Sequence, residues 1–208
     1  MKQWYKTRKK DPFYLKAKKN DIISRAYYKL EEIDKKYNLF NNKKKILDVG
    51  CSPGGWIQYI LKKNPKNKIV GIDLLPIDHQ LEGELTFCIM DLKDTSAIDK
   101  LFTKSNYTFD SIISDIAPNT SGNQFLDQTN SYDLSILSAQ LIEKYLNKGG
   151  NFLVKNFQGE DTEKLFKYIK SHFRKTLYIK PAASDKKSKE IYILGLDCLL
   201  YTSDAADE

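Results

Sequence analysis

The sequence predicts an α/β fold built on a nucleotide-binding βαβ unit. Three observations predict it. The stretch Lys45-Ile-Leu-Asp-Val-Gly-Cys-Ser-Pro-Gly-Gly-Trp56 reads as a buried strand, a tight glycine turn and the start of a helix. Further apolar strands end in an acid at Asp73, Asp91 and Asp115, where the ligands of open α/β sheets sit. The 208 residues suffice for one such domain with a substantial core.

In chain order, Met1 to Asn20 is a basic arm. It carries Lys2, Lys6, Arg8, Lys9, Lys10, Lys16, Lys18 and Lys19 among Trp4, Tyr5, Phe13 and Tyr14. Cations suit phosphates and flat rings suit bases, so the arm suits RNA. A solvated arm packing a few rings on the domain fits the same residues; Asp11 and the lack of serine count against a mitochondrial targeting peptide. Ser24 to Tyr37 is expected to be a helix burying Ala26, Leu30, Ile33 and Tyr37, with Lys29 beside that stripe. Taken alone, Lys29 reads as a lysine whose stem lies on the apolar face and whose ammonium reaches water.

Ile46, Leu47 and Val49 then form the central strand, and Trp56 to Lys63 a helix. The glycines of the turn are expected to let the backbone approach a ligand, which the helix N-terminus also attracts. Lys68 to Ile72 is the second strand; Asp73, roughly 20 residues past the turn, is placed to accept hydrogen bonds from a ribose. The turn is Gly-x-x-x-Gly-Gly rather than Gly-x-Gly-x-x-Gly, which weakens a dinucleotide reading. Leu74-Leu-Pro-Ile77 is a proline turn. Leu85 to Met90 is a strand, Ser96 to Phe102 a helix and Phe109 to Ser114 a strand.

Gly122 to Asn130 is expected to be a polar loop. Ser131 to Leu146 follows as a helix burying Leu134, Leu137, Leu141 and Tyr145, stopped by Lys148-Gly-Gly150. Asn151 to Val154 is a strand ending in Lys155, and Asp161 to Phe173 a helix with Phe173 inward. Thr176 to Ile179 and Ile191 to Leu196 have no helix between them and should pair antiparallel. Their loop holds a second basic cluster, Lys186, Lys187 and Lys189.

Residues 198–208 resemble a translated sequencing adapter, which leaves residues 21–197 as a single domain; a genuine acidic tail is the competing reading. Dropping that tail adds three to the net charge of +7, which favours a polyanionic partner. No apolar run approaches the ~20 residues of a membrane span, and the N-terminus has no apolar signal core. Cys51, Cys88 and Cys198 read as reduced thiols, and His79 and His172 as ordinary polar residues; none has metal-ligand spacing.

Six blocks resemble the FtsJ-type (RrmJ-like) ribose 2′-O-methyltransferases. They are Ser24-Arg-Ala-Tyr-Tyr-Lys-Leu30, Asp48-Val-Gly-Cys-Ser-Pro-Gly-Gly-Trp56, Asp73-Leu-Leu-Pro76, Ser114-Asp-Ile-Ala-Pro-Asn-Thr-Ser-Gly122, Val154-Lys155 and Ser188-Lys-Glu-Ile-Tyr192, in the family's order. Cys51-Ser52 stands where Ala-Ala is usual, and Lys43-Lys-Lys45 opens the first strand. The resemblance implies a Rossmann-like, S-adenosylmethionine (AdoMet)-dependent methyltransferase fold: a seven-stranded, mostly parallel sheet with one antiparallel strand and helices on both faces.

It implies AdoMet as cofactor, held by Gly50, Ser52, Pro53, Gly54, Gly55, Trp56, Asp73, Leu74, Asp91, Leu92 and Asp115. Within that set, Gly54 and Trp56 take the amino-acid end, Asp73 the ribose, Asp91 the adenine side and Asp115 the methionine part. It also implies a tetrad of Lys29, Asp115, Lys155 and Glu190. Lys155 would accept the proton of a ribose 2′-hydroxyl, Lys29 would supply a cation, and the two acids would orient the amines. The wording of the Asp73 and Asp115 blocks resembles the ribosomal-RNA branch, which implies a uridine in large-subunit ribosomal RNA or the subunit particle, no DNA, no membrane and a monomer. A tRNA methyltransferase of the same family uses identical chemistry. An inactive RNA-binding scaffold is the reading from another class, against which all four tetrad positions are intact. The expected compartment is the cytoplasm; the Lys- and Asn-rich composition also fits an organelle.

Overall fold

The computed structural model describes residues 11–42, 44–77, 79–104, 107–185 and 188–200. Seven strands form one sheet: β1 (Lys45–Val49), β2 (Lys68–Asp73), β3 (Glu84–Ile89), β4 (Phe109–Ser114), β5 (Leu146–Phe157), β6 (Phe173–Ile179) and β7 (Glu190–Cys198). Their order is β3-β2-β1-β4-β5-β7-β6. All neighbours are parallel except β7, which runs antiparallel to both β5 and β6. The expected sheet and its reversed strand are therefore present. The described residues also form six helices: α1 (Pro12–Lys19), α2 (Ala26–Tyr37), α3 (Gly55–Lys63), α4 (Thr95–Lys104), α5 (Gln124–Tyr145) and α6 (Thr162–Lys170).

Strand β1 shows why its run is apolar on both sides. Leu47 and Val49 join one core, shared with α4, α5 and α6; Ile46 joins the other, shared with α2 and α3. All three are fully buried, each worth about 1.5–3 kcal/mol of hydrophobic stabilisation. By the same alternation Asp48 faces the Ile46 side. The chain turns from β1 to β2 on one flank and to β4 on the other, so the crevice outside the carboxyl ends of β1 and β4 is the switch point of the sheet.

Four local expectations are corrected. Residues 124–130 are not loop: Asn123 caps α5, its side chain accepting from the Phe125 and Leu126 amides, and Asp127 anchors Ser121. The buried stripe of α5 is Ser131, Ser135, Ser138, Ala139, Leu141, Ile142 and Tyr145, while Leu134 and Leu137 are half-buried. Small residues bring the helix close to the sheet, where Ser138 Oγ meets Ser114 Oγ at 3.3 Å. The helix ends at Tyr145, and Lys148-Gly-Gly150 lies within β5, where the pairing with β4 shifts register. Phe173 opens β6 rather than closing α6, because Gly195 on β7 leaves room for its ring.

Part of the basic arm is helical: α1 is capped by Asp11, and Arg25 pairs with the same carboxylate. Cys198 is buried in β7 opposite Phe173, so the strand runs one residue past the expected domain end. Lys2, Trp4, Tyr5, Lys6, Arg8, Lys9, Lys10, Lys43, Lys186, Lys187 and residues 201–208 lie outside the described residues. Among those described, no helix is long and apolar enough to cross a membrane.

Candidate active site

A cleft of about 650 Å³ opens at the switch point, within the range of small-molecule sites. Strand ends build it: Val49 and Gly50 after β1, Asp73 from β2, Asp91 after β3 and Asp115 after β4, with Asp133 facing it from α5. Asp73 is held by the turn it serves. Its Oδ2 accepts the Ser52 amide at 2.8 Å and its Oδ1 the Leu75 amide at 2.9 Å. Asp91 Oδ1 accepts the Lys93 amide at 2.9 Å. Leu74 and Leu75 stand 63% and 65% exposed at the mouth, while Leu92 is buried in the wall.

Of the expected cofactor residues, Gly50, Ser52, Asp73, Leu74, Asp91, Leu92 and Asp115 line this cleft. Pro53, Gly55 and Trp56 instead line a separate cavity of about 20 Å³ beneath the turn. Gly54 lines neither: it caps α3 at φ +104° and donates its amide to the Cys51 carbonyl at 2.7 Å. The Trp56 indole donates to the Ala26 carbonyl at 2.9 Å and packs near Tyr192, ring centres 6.0 Å apart. Gly50 and Gly55 also leave no room for a side chain. A Cβ on Gly50 would meet Ile116 Cβ at 2.7 Å, and one on Gly55 would meet Ser24 Oγ at 2.1 Å. They are required by close packing of the chain on itself.

The four tetrad positions come together from four elements as two ion pairs. Lys29 Nζ on α2 lies 2.7 and 2.8 Å from the two Glu190 carboxylate oxygens at the start of β7. Lys155 Nζ on β5 lies 3.0 Å from Asp115 Oδ1 and donates to the Asp115 carbonyl at 2.5 Å. Lys29 and Lys155 are each only 5% exposed and Glu190 8%, so Lys29 does not reach water as its sequence position suggested. Asp115 lines the large cleft and the small cavity alike, so it joins the tetrad to the cleft.

Three residues absent from the expected set complete the arrangement. Tyr192 is fully buried, donates to Asp115 Oδ1 at 2.7 Å and places its ring centre 5.8 Å from Lys29 Nζ, so it touches both pairs. Ser184 donates to Glu190 Oε1 at 2.7 Å. Asp48 is fully buried beneath the turn. Tyr192 and Asp48 were visible inside quoted motifs; Ser184 had no signal, since only the folded loop carries it to Glu190.

Burial alone would raise the Asp115 carboxyl, but the Lys155 and Lys29 cations, with hydrogen bonds from Tyr192 and Lys155, hold it below the ordinary carboxylate range. Burial, and then the Asp115 charge, push the Tyr192 phenol well up. The site can thus keep one ionised acid between two amines while the phenol stays a donor.

Comparison with known proteins gives the family. The family model described as FtsJ-like methyltransferase matches residues 22–198. Ribosomal RNA large subunit methyltransferase E of Coxiella burnetii is 38% identical over 206 residues, covering 96% of each chain. The protein of that name from Bdellovibrio bacteriovorus is 36% identical over 190 residues, covering 90% of this chain and 96% of its own. A Plasmodium falciparum protein, provisionally described as a ribosomal RNA methyltransferase, has a crystal structure that matches with a TM-score of 0.73 and 36% identity over 85% of this chain and 98% of that one. The family match takes in all seven strands, the glycine turn and both ion pairs, and on that evidence the chain belongs to the FtsJ-like methyltransferases.

Proposed function

We propose that this protein transfers a methyl group from AdoMet to the 2′-hydroxyl of a uridine ribose in large-subunit ribosomal RNA. The observation that carries the reading is the pair of ion pairs, Lys29–Glu190 and Lys155–Asp115, gathered beside one acidic cleft. The names of the Coxiella and Bdellovibrio relatives support the choice of RNA.

The cleft suits AdoMet chemically. Asp73, Asp91, Asp115 and Asp133 favour a ligand carrying sulfonium and ammonium charges, and the apolar Ile72, Leu74, Leu75 and Met90 suit a flat base. AdoMet, when bound, supplies an electrophilic methyl group. The chain supplies position and proton handling. Asp73, fixed by two backbone amides, holds ribose hydroxyls. Lys155, after giving up its own proton to solvent, accepts the 2′-hydroxyl proton at Nζ. Asp115, steadied by Tyr192, orients that amine, and Lys29, steadied by Glu190 and Ser184, places a cation beside the incoming phosphate backbone.

Helix α1 is proposed to guide the RNA. It exposes Tyr14, Leu15, Lys18 and Lys19, and it packs through Ala17 on Tyr28, the neighbour of Lys29. Methylation is expected to prefer ribosomal particles over naked RNA. The three free cysteines suit a reducing compartment such as the cytoplasm.

The test is Lys155→Ala, with AdoMet binding followed by calorimetry and 2′-O-methyl positions mapped on ribosomal RNA. Transfer should be lost while AdoMet binding persists. Transfer at near wild-type rate refutes the assignment of Lys155, and methylation confined to tRNA refutes the choice of substrate.

A further inference from the structure

Asp48 has no role in the chemistry above, yet its setting is the least ordinary in the molecule. It is 0% exposed, and among the described residues neither of its carboxylate oxygens has a hydrogen-bond partner. The Ser24 hydroxyl, which lines the same cavity of about 20 Å³, is likewise buried with no hydrogen-bonding group of the protein in reach. That cavity also touches Asp115 and the turn from Gly50 to Trp56. It can admit a water but no larger ligand.

The charges that face Asp48 are of its own sign. Asp73 from β2 and Asp115 from β4 act on it, and the Cys51 thiol in the turn is held neutral by burial. The nearby cations are already committed, Lys29 on α2 to Glu190 and Lys155 on β5 to Asp115. An ionised carboxylate so placed would be desolvated, unpaired and repelled, whereas the neutral acid escapes the repulsion and loses far less on desolvation. Burial, then the Asp115 and Asp73 charges, accordingly push the Asp48 carboxyl well above the ordinary carboxylate range.

We propose that Asp48 carries its proton in the free protein and releases it to solvent when the sulfonium-bearing cofactor enters the adjoining cleft. The Asp48 O–H bond breaks, the proton passes to bulk buffer, and the ligand's positive charge balances the new carboxylate. The inference rests on the AdoMet reading. Asp73 and Asp115 line the cleft and also act on Asp48, so a cation bound between them reverses the field that keeps Asp48 neutral. By linkage, AdoMet affinity should rise with pH, by up to about tenfold per unit while the free protein still holds the proton.

The experiment measures AdoMet binding by calorimetry in buffers of different ionisation enthalpy, for wild type and Asp48→Asn. S-adenosylhomocysteine, whose sulfur is neutral, serves as comparator. Wild type should release close to one proton with AdoMet and clearly less with S-adenosylhomocysteine, and Asp48→Asn should release none that wild type does not share with it. Equal proton release by both proteins overturns the inference while leaving AdoMet as cofactor. A second measurement needs no ligand: the infrared band of a protonated carboxyl should appear in free wild type at neutral pH and vanish in Asp48→Asn. Absence of the band overturns the inference, and failure of wild type to bind AdoMet overturns the reading beneath it as well.

Discussion

Replacing Asp48 by Asn should make the free protein more stable, and increasingly so as pH rises. The substitution keeps the shape and removes the titrating proton. In the unfolded chain Asp48 ionises near the usual aspartate value of about 3.9. In the fold, burial without a partner and the Asp115 and Asp73 charges raise its pKa. Between the unfolded and folded values the native state holds a proton that the unfolded chain has lost. Wild-type stability therefore falls by about 1.4 kcal/mol for each pH unit through that window, then levels off above the folded value. Asn has no such slope. Urea unfolding of both proteins at about pH 5, 6 and 7 should show the variant's advantage widening by about 1.4 kcal/mol per unit, superimposed on the titrations the two share. A gap that stays constant across the window would mean that Asp48 is already ionised in the fold, and the reasoning about its surroundings would fail.

Asp115 should behave in the opposite sense. Its folded-state pKa is lowered by Lys155 and Lys29 against the effect of burial, so the stability it contributes is present above the unfolded value and is lost as pH falls through the folded one. Asp115→Asn should cost up to about 3–5 kcal/mol near neutrality by stranding Lys155, with the gap to wild type closing in acid denaturation curves. Lys29→Met should cost about 3–5 kcal/mol because Glu190 is left buried without its cation, and adding Glu190→Gln should recover part of that loss in a double-mutant cycle. Gly195→Ala places a Cβ 2.5 Å from the Phe173 ring and should cost about 1–3 kcal/mol; Phe173→Leu in the same chain should relieve it, as read by thermal unfolding.

The elements legible in the chain were those with a strong local signature. The β1 run and the glycine turn declared themselves because a strand buried on both faces must be apolar and a tight turn needs glycine, and the acids at the ends of β2, β3 and β4 stood out against their apolar runs. The start of α5 was missed because its first turns bury nothing, Phe125 and Leu126 standing 66% and 45% exposed, and its capping residue Asn123 is one polar residue among several. Its buried stripe was misjudged because hydrophobicity was taken as the mark of burial, whereas helix–sheet closeness selected serines. Ser135 Oγ illustrates this, lying 2.8 Å from the Lys155 carbonyl and 2.7 Å from that of Ser131.

Residue identities and spacing were enough, on their own, to establish the order of the strands, the antiparallel last pair and the acids at the strand ends; helix α1 was not foreseen, and the tetrad came from resemblance to a family. Tertiary structure alone decided how those residues are joined: Lys29 and Glu190 are 161 positions apart, and Asp115 is 77 from Tyr192, yet each pair is in hydrogen-bond contact. It also decided which polar groups are left facing only their own charge, as Asp48 is. Local pattern records what one stretch of backbone prefers. Partners, fields and desolvation depend on which distant strand ends the sheet brings side by side.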